Sequence, residues 1–531
     1  MAPPSQWFGR LGPALLAPGP YPVGFRSAWA FDEGRTYRTA FDDGKTYGAQ
    51  EAPRPVLVLQ WYPAHDRDGD TMEHATYFSI ASDDPALREF AYALREYAHT
   101  MFSHYVMDKP EDELDEAERA QMAETLTEPT GCLPGAEPAG GGFPLIVYHG
   151  GYGSSFEDNA ALCTFLASHG YLVLGSAFPR ADGLSLNIDA FRGSADDVTF
   201  LIRWAGTHCG ADIGRVGLIG HSGGAQAILR IAVANEIRYD AAVLLDTTQD
   251  YYCLSIPFFA PLVREITDGI ANVTTPMLVV ANPAALFALC DTLVNSERTY
   301  LTVPSLPHDE FIAQGQQRLA RIARSPHPDP ADSERAAVAH ELYRAVCERV
   351  LRFLDATVRG DREAGERFGF FCSSRAPDSF CSSRAPATES WDPTTPCVVQ
   401  VPRGVGAPEP YDPDGDIAPS PRQFAQLLMI PGIEQACRAL GRFRSSSGNP
   451  VCSDVRLAGT LLYHLLGTGR DDDAARYYAM LKDMSMDVAG WLVEQADDEE
   501  GDETLHFLCL AQRLEPDDAD IAAKLQAARG A

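Results

Sequence analysis

Between residue 143 and about residue 360 the chain repeats one pattern: a short apolar run, then a longer stretch with helical spacing. The apolar runs are PLIVY (144–148), YLVLG (171–175), RVGLI (215–219), AAVLL (241–245), PMLVV (276–280) and TYLTV (299–303). Helices are expected over 158–169, 192–207 and 223–235, with a last one over ELYRAVCERVLRFLDATVRG (341–360). Runs this short and this uniformly apolar have no solvent face to spare. A strand of that kind is buried on both sides, which requires a parallel sheet with helices packed over each face. Upstream, PVLVLQWYPA (55–64) reads as a further strand that stops at Pro63.

Other segments depart from this alternation. AFDEGRTY (30–37) is echoed by AFDDGKTY (40–47), which fits a short hairpin or a slipped duplication. A helical insertion is expected at about 80–130. Asp84 can cap it, Pro85 suits its first position, and Leu87, Phe90, Leu94, Tyr97, Met101 and Tyr105 recur three or four residues apart. EDELDEAERAQMAETL (111–126) reads as a second, acidic and solvated helix, and 131–142 as a Gly/Pro-rich loop. The heptapeptide FCSSRAP occurs at 371–377 and again at 380–386, inside a Pro/Ser-rich stretch. The expected organisation is an α/β catalytic domain over 1–365, a linker over 366–420 and an all-helical domain over 421–531. In that last domain LAGTLLYHLLGTGRDDDAARYYAMLKDM (457–484) reads as helix, glycine turn, helix, and LCLAQRLEPDDADIAAKLQAA (508–528) repeats the shape. This resembles degenerate tetratricopeptide repeats, which implies a surface for a protein partner or for self-association.

Charge excludes some partners. A formal net charge of −31 is the wrong sign for the phosphate backbone, so no nucleic acid is expected. The twelve cysteines contain no C-x2-C pair and mostly lie in apolar runs, as reduced thiols of a cytoplasmic protein do. The N-terminal stretch is broken by proline and glycine and does not read as a secretory signal. No apolar run is long enough for a membrane span.

Chemistry enters at Gly220-His221-Ser222-Gly223-Gly224, a G-x-S-x-G sequence between the strand VGLI and the helix AQAILRIAVA. A serine on so sharp a turn is lifted clear of the sheet with its hydroxyl accessible. Serine is a poor nucleophile without a base, and the base needs an orienting acid. The histidines after Ser222 are His308, His327, His340, His464 and His506. His308, in a loop just after a strand, is the base by elimination. Asp246, at the end of AAVLL, is the favoured acid because functional side chains gather at strand ends on this edge of a parallel sheet. Asp291, beyond the next strand, is the alternative. One oxyanion donor is expected from the N–H of Gly223. The other is expected from His149-Gly150-Gly151-Tyr152-Gly153, through Tyr152 or Gly151. Tyr152 and His221 stand where they would also line a substrate site. No metal and no cofactor is expected.

GPYPVGF (19–25), WYPA (61–64), HGGYGSS (149–155) with ASHGYLVL (167–174) behind it, GHSGG (220–224) and AAVLLD (241–246) together resemble one branch of the α/β-hydrolases. It is the branch of the platelet-activating-factor acetylhydrolases and polyester hydrolases, and dienelactone-hydrolase-like esterases share parts of it. The resemblance covers 19–64 and 143–360. It implies an oxyanion hydrogen bond from the residue at Tyr152, where polyester hydrolases also carry an aromatic that clamps substrate. It implies an acid at Asp246 if the acetylhydrolase arrangement holds; in polyester hydrolases the acid comes one strand later. The expected activity is hydrolysis of a small-molecule, lipid or polymer carboxylic ester through an acyl-enzyme. The alternatives are a peptidase or amidase on the same residues, and an inactive scaffold that recruits partners through the helical tail.

Overall fold

The computed structural model describes residues 16–40, 46–65, 69–178, 188–247, 265–282, 285–287, 289–325, 329–368, 397–405, 411–412, 416–429, 433–444, 450–467, 469–497 and 502–530. The duplicated FCSSRAP heptapeptide lies outside them.

Ten strands form one sheet: β1 (Val23–Ala40), β2 (Thr46–Pro63), β3 (Cys132–Pro134), β4 (Pro144–His149), β5 (Leu172–Gly175), β6 (Asp212–His221), β7 (Ala241–Leu245), β8 (Met277–Ala281), β9 (Arg298–Thr302) and β10 (Cys397–Val401). Their order is β10-β9-β8-β7-β6-β4-β5-β2-β1-β3. β4 to β9 run parallel, and β2 meets both β1 and β5 antiparallel. This is an α/β-hydrolase fold. The strands read as continuous apolar runs because both their faces are covered: every residue of β4, β7 and β8 is buried. Successive side chains point to opposite faces. One face carries Ile146, Tyr148, Val173, Ile219 and Val243 into a core with Leu162, Phe165, Val346, Val350 and Leu354.

The first echoed octapeptide lies in β1; of the second, Ala40 ends β1 and Thr46 and Tyr47 open β2, with 41–45 outside the described residues. Thr39 pairs with Tyr47 and Ala40 with Thr46, and the ladder slips between Asp32 and Thr36. A buried ion pair fastens these two strands to the helix Ile188–His208. Arg54 holds Asp197 through Nε and Nη2, each at 2.6 Å, and Arg35 reaches the same carboxylate at 2.7 Å.

The insertion forms the helix Pro85–Met107 and, after a capping box between Asp115 and Glu118, the helix Glu116–Leu126. The buried stripe of the first helix is Leu87, Phe90, Ala91, Leu94, Ala98, Phe102 and Val106. Met101 and Tyr105 are only half-buried. Leu94, Ala98, Phe102 and Val106 recur every four residues, so the buried line advances about 40° per turn and leaves Met101 and Tyr105 beside it. The helix expected at 341–360 spans Pro330–Thr357. Asp329 caps it and Pro330 takes its first position, but its opening turns bury nothing before Ala336 and so show no apolar period.

The chain divides into two compact units. The first comprises 1–247, 275–283 and 297–400; the second comprises 248–274, 284–296 and 401–531. The second unit contains the helices Pro421–Met429, Ile433–Arg442, Val455–Gly467, Asp471–Asp483, Val488–Asp497, Asp502–Leu514 and Ala519–Gly530. Within it Asp291 is fully buried and accepts from Arg422 Nε at 2.8 Å, Arg422 Nη2 at 2.6 Å and Gln426 Nε2 at 2.5 Å. Among the described residues no helix is long and apolar enough to cross a membrane. Cys132, Cys163, Cys209, Cys290, Cys347, Cys437, Cys452 and Cys509 are free thiols.

Candidate active site

β6 ends at His221 and the helix Gly223–Ala234 begins two residues later. Ser222 makes the turn alone, with φ 52° and ψ −122°. That conformation is costly for a residue with a side chain and persists only where the surroundings enforce it. The close approach behind it requires glycine. A Cβ on Gly224 would stand 2.4 Å from the His149 carbonyl oxygen, and one on Gly223 would stand 2.0 Å from the Tyr152 ring. The sequence around Ser222 is therefore what lets the helix start against the β4 loop.

His308 follows β9 in a short 3-10 turn, His308–Phe311. Its Nδ1 lies 2.6 Å from Asp246 Oδ2 and its Nε2 lies 2.9 Å from Ser222 Oγ. A carboxylate only accepts, so Nδ1 carries the proton and Nε2 accepts from the serine hydroxyl. Asp246, just past β7, is buried, with φ 44°, and its other oxygen accepts the Asn282 N–H at 3.2 Å. Burial disfavours the His308 imidazolium, but the hydrogen bond to Asp246, its charge and that of Asp309 outweigh burial and raise the His308 pKa. The His308 side chain keeps 30% exposure, so the dyad with Ser222 faces an approachable surface.

His221 is buried, and its Nε2–H donates to the main-chain carbonyl of His308 at 3.3 Å. Burial, then the charge of His308, push its pKa well below the usual range, so it stays neutral. The Tyr152 ring lies against Gly223, and its hydroxyl is 2.6 Å from Ser194 Oγ. Gly151 sits beside the nucleophile: a Cβ there would stand 3.3 Å from Ser222 Cβ. Its N–H, however, is given to Asp158 Oδ2 at 3.2 Å.

Asp158 escaped the sequence reading. It is fully buried and also accepts from Ser154 Oγ and Tyr148 Oη, each at 2.7 Å. Burial raises its carboxyl to about 6. Its neighbour Asn159 begins the helix Ala160–Ser168 without capping it through its side chain. Instead Asn159 Oδ1 accepts from Ala313 N–H at 3.2 Å and Tyr343 Oη at 2.6 Å. An Asp-Asn pair before an apolar helix looks like a cap, which hid both roles.

A small cavity beside the loop is lined by Tyr97, His149, Gly151, Tyr152, Phe156 and Phe178, bringing the insertion helix to the site. A larger open groove of about 530 Å³, lined by Phe31, Arg35, Phe200 and Trp204, includes none of Ser222, His308 and Asp246. Hydrogen-bond geometry, not volume, marks the candidate site. Among the described residues no group of three or more His, Cys, Asp or Glu side chains is placed to hold a metal ion.

No protein-family model and no curated protein matches the chain. Among solved structures, a ferulic acid esterase from Streptomyces cinnamoneus is similar at 20% identity and a TM-score of 0.41, over 65% of this chain and 93% of that one.

Proposed function

We propose that the protein is a serine hydrolase that cleaves carboxylic esters through an acyl-enzyme. The observation that carries this reading is the unbroken relay from Ser222 Oγ through the His308 imidazole to the buried Asp246 carboxylate. Ser222 attacks the ester carbonyl while His308 Nε2 takes its proton. Asp246 holds the imidazole in the required tautomer and stabilises the imidazolium. The tetrahedral oxyanion is received by the N–H of Gly223, at a helix N-terminus, and the N–H of Tyr152. Gly151 is assigned no such role because Asp158 takes its N–H. Collapse expels the alcohol with the proton from His308, and water then repeats the sequence to release the acid.

Asp246, rather than Asp291, is the acid in this reading. It lies where the resemblance to the acetylhydrolases implies, and Asp291 is committed to Arg422. His221 supports the base by holding the His308 main chain. A set of residues so joined argues against an inactive scaffold. The substrate is a small-molecule, lipid or polymer ester, and the C-terminal helices are left as a candidate surface for a partner. Ser222→Ala is expected to lower turnover of a nitrophenyl ester by about 10⁴-fold or more with an unchanged melting curve. Wild-type turnover by the folded variant would remove the assignment.

A further inference from the structure

Two loops must meet for this chemistry: the β4 loop, which approaches Ser222 at Gly151, and the loop after β9, which carries His308. Hydrogen bonds around Asp158 and Asn159 join them, beside those of Gln314 Nε2 to Ser155 and Glu157. Asp158 gathers the β4 loop with its side chain, accepting from the Gly151 N–H, the Ser154 hydroxyl and the Tyr148 hydroxyl. With its main-chain carbonyl it accepts the Gln314 N–H at 3.1 Å, six residues beyond His308. Asn159 adds the Ala313 N–H to its Oδ1 and donates to the Phe311 carbonyl at 3.4 Å. The pair is buried, and among the described residues no cation is a partner of the Asp158 carboxylate. Three donors converging on a buried acid fix the direction of the loop backbone. One of them is the N–H of Gly151, which sits beside the nucleophile.

We propose that Asp158 is a positioning residue that sets the oxyanion loop and, through its main chain, the base loop in one register. The inference rests on the esterase reading of Ser222. A donor displaced by about 1 Å weakens transition-state contacts far more than ground-state binding, on the order of 10²-fold. Asp158→Ala in the full chain is therefore expected to lower kcat about 100-fold, with KM within about threefold.

Paired substrates separate positioning from simple loss of folded protein. Sulfur accepts hydrogen bonds weakly, so a thionoester draws less on the oxyanion donors than its oxoester counterpart. The variant should lose about 100-fold on the oxoester and less than about tenfold on the thionoester, whereas a smaller folded fraction would lower both equally. Asp158→Asn keeps an acceptor for Gly151 and Ser154 and turns its amide toward the Tyr148 oxygen, so it should recover most of kcat. If Asp158→Ala does not fold, Asp158→Ser carries the same comparison. Equal losses on both substrates, unchanged kcat, or an Asn variant no better than Ala would overturn the proposal. Ser222→Ala, assayed alongside, tells the two failures apart: an active variant overturns the esterase reading and the inference with it, whereas an inactive one leaves the Asp158 variants to decide the inference alone.

Discussion

Asp246 and Asp291 are both buried carboxylates past the ends of neighbouring strands, and their partners divide them. Asp246 meets His308 Nδ1 and the Asn282 N–H, whereas Asp291 meets a guanidinium and an amide. As a base His308 must be neutral, and its pKa is raised above the ordinary 6.5. The hydrolysis rate, kcat/KM, is therefore predicted to fall as pH drops through a midpoint above 6.5. Asp246→Asn removes a cause of that rise, so the midpoint should move down while kcat falls about 10⁴-fold. Asp291→Asn should leave both within a few-fold of wild type. Melting curves for both variants distinguish unfolding from lost chemistry, and a folded, active Asp246→Asn beside a dead Asp291→Asn would reverse the assignment. Sequence pattern brings Ser222, Asp246 and His308 into view because each stands at a strand end with its own local context. Asp158 was not legible, because its partners come from β4, from the loop and from beyond His308, and none of those meetings has a local signature.

At the level of elements, the strands of the parallel sheet are readable because burial on both faces leaves them no polar alternation. The glycines around Ser222 are readable because only they admit the contacts with His149 and Tyr152. Helix faces are less so. The insertion helix shows its stripe at Leu87, Phe90 and Leu94, but further on Phe102 and Val106 replace Met101 and Tyr105 as the buried line. Phe102 is fully buried and Tyr92 is 56% exposed. Phe102→Ala is predicted to cost about 3–5 kcal/mol and Tyr92→Ala less than about 0.5 kcal/mol in urea denaturation. Similar costs for the two would place the helix on a different face.

Across the whole molecule, the tail's first helix meets a residue 131 positions earlier. A Pro/Ser-rich composition sets 366–420 apart, but no local pattern announces that 248–274 and 284–296 gather with 401–531. Arg422 binds Asp291 through two nitrogens and lies over the Phe287 ring at 4.3 Å. Arg422→Ala removes two charge-assisted hydrogen bonds from a buried carboxylate, a loss of about 3–5 kcal/mol. A chain ending before Pro421 should suffer the same loss, with faster proteolysis within 284–296. Undiminished melting temperature and protease resistance in both would show that the ion pair holds nothing in place.

Ser222 as the activated nucleophile is the central claim, and covalent labelling of the full chain reads it directly. After reaction with a fluorophosphonate and proteolysis, mass spectrometry is predicted to find one adduct, on the peptide containing Ser222. Ser222→Ala should carry none, and His308→Ala should label far more slowly than wild type at the same pH. An adduct on another residue with Ser222 unmodified, or ester hydrolysis that persists when Ser222 cannot be labelled, would contradict the account.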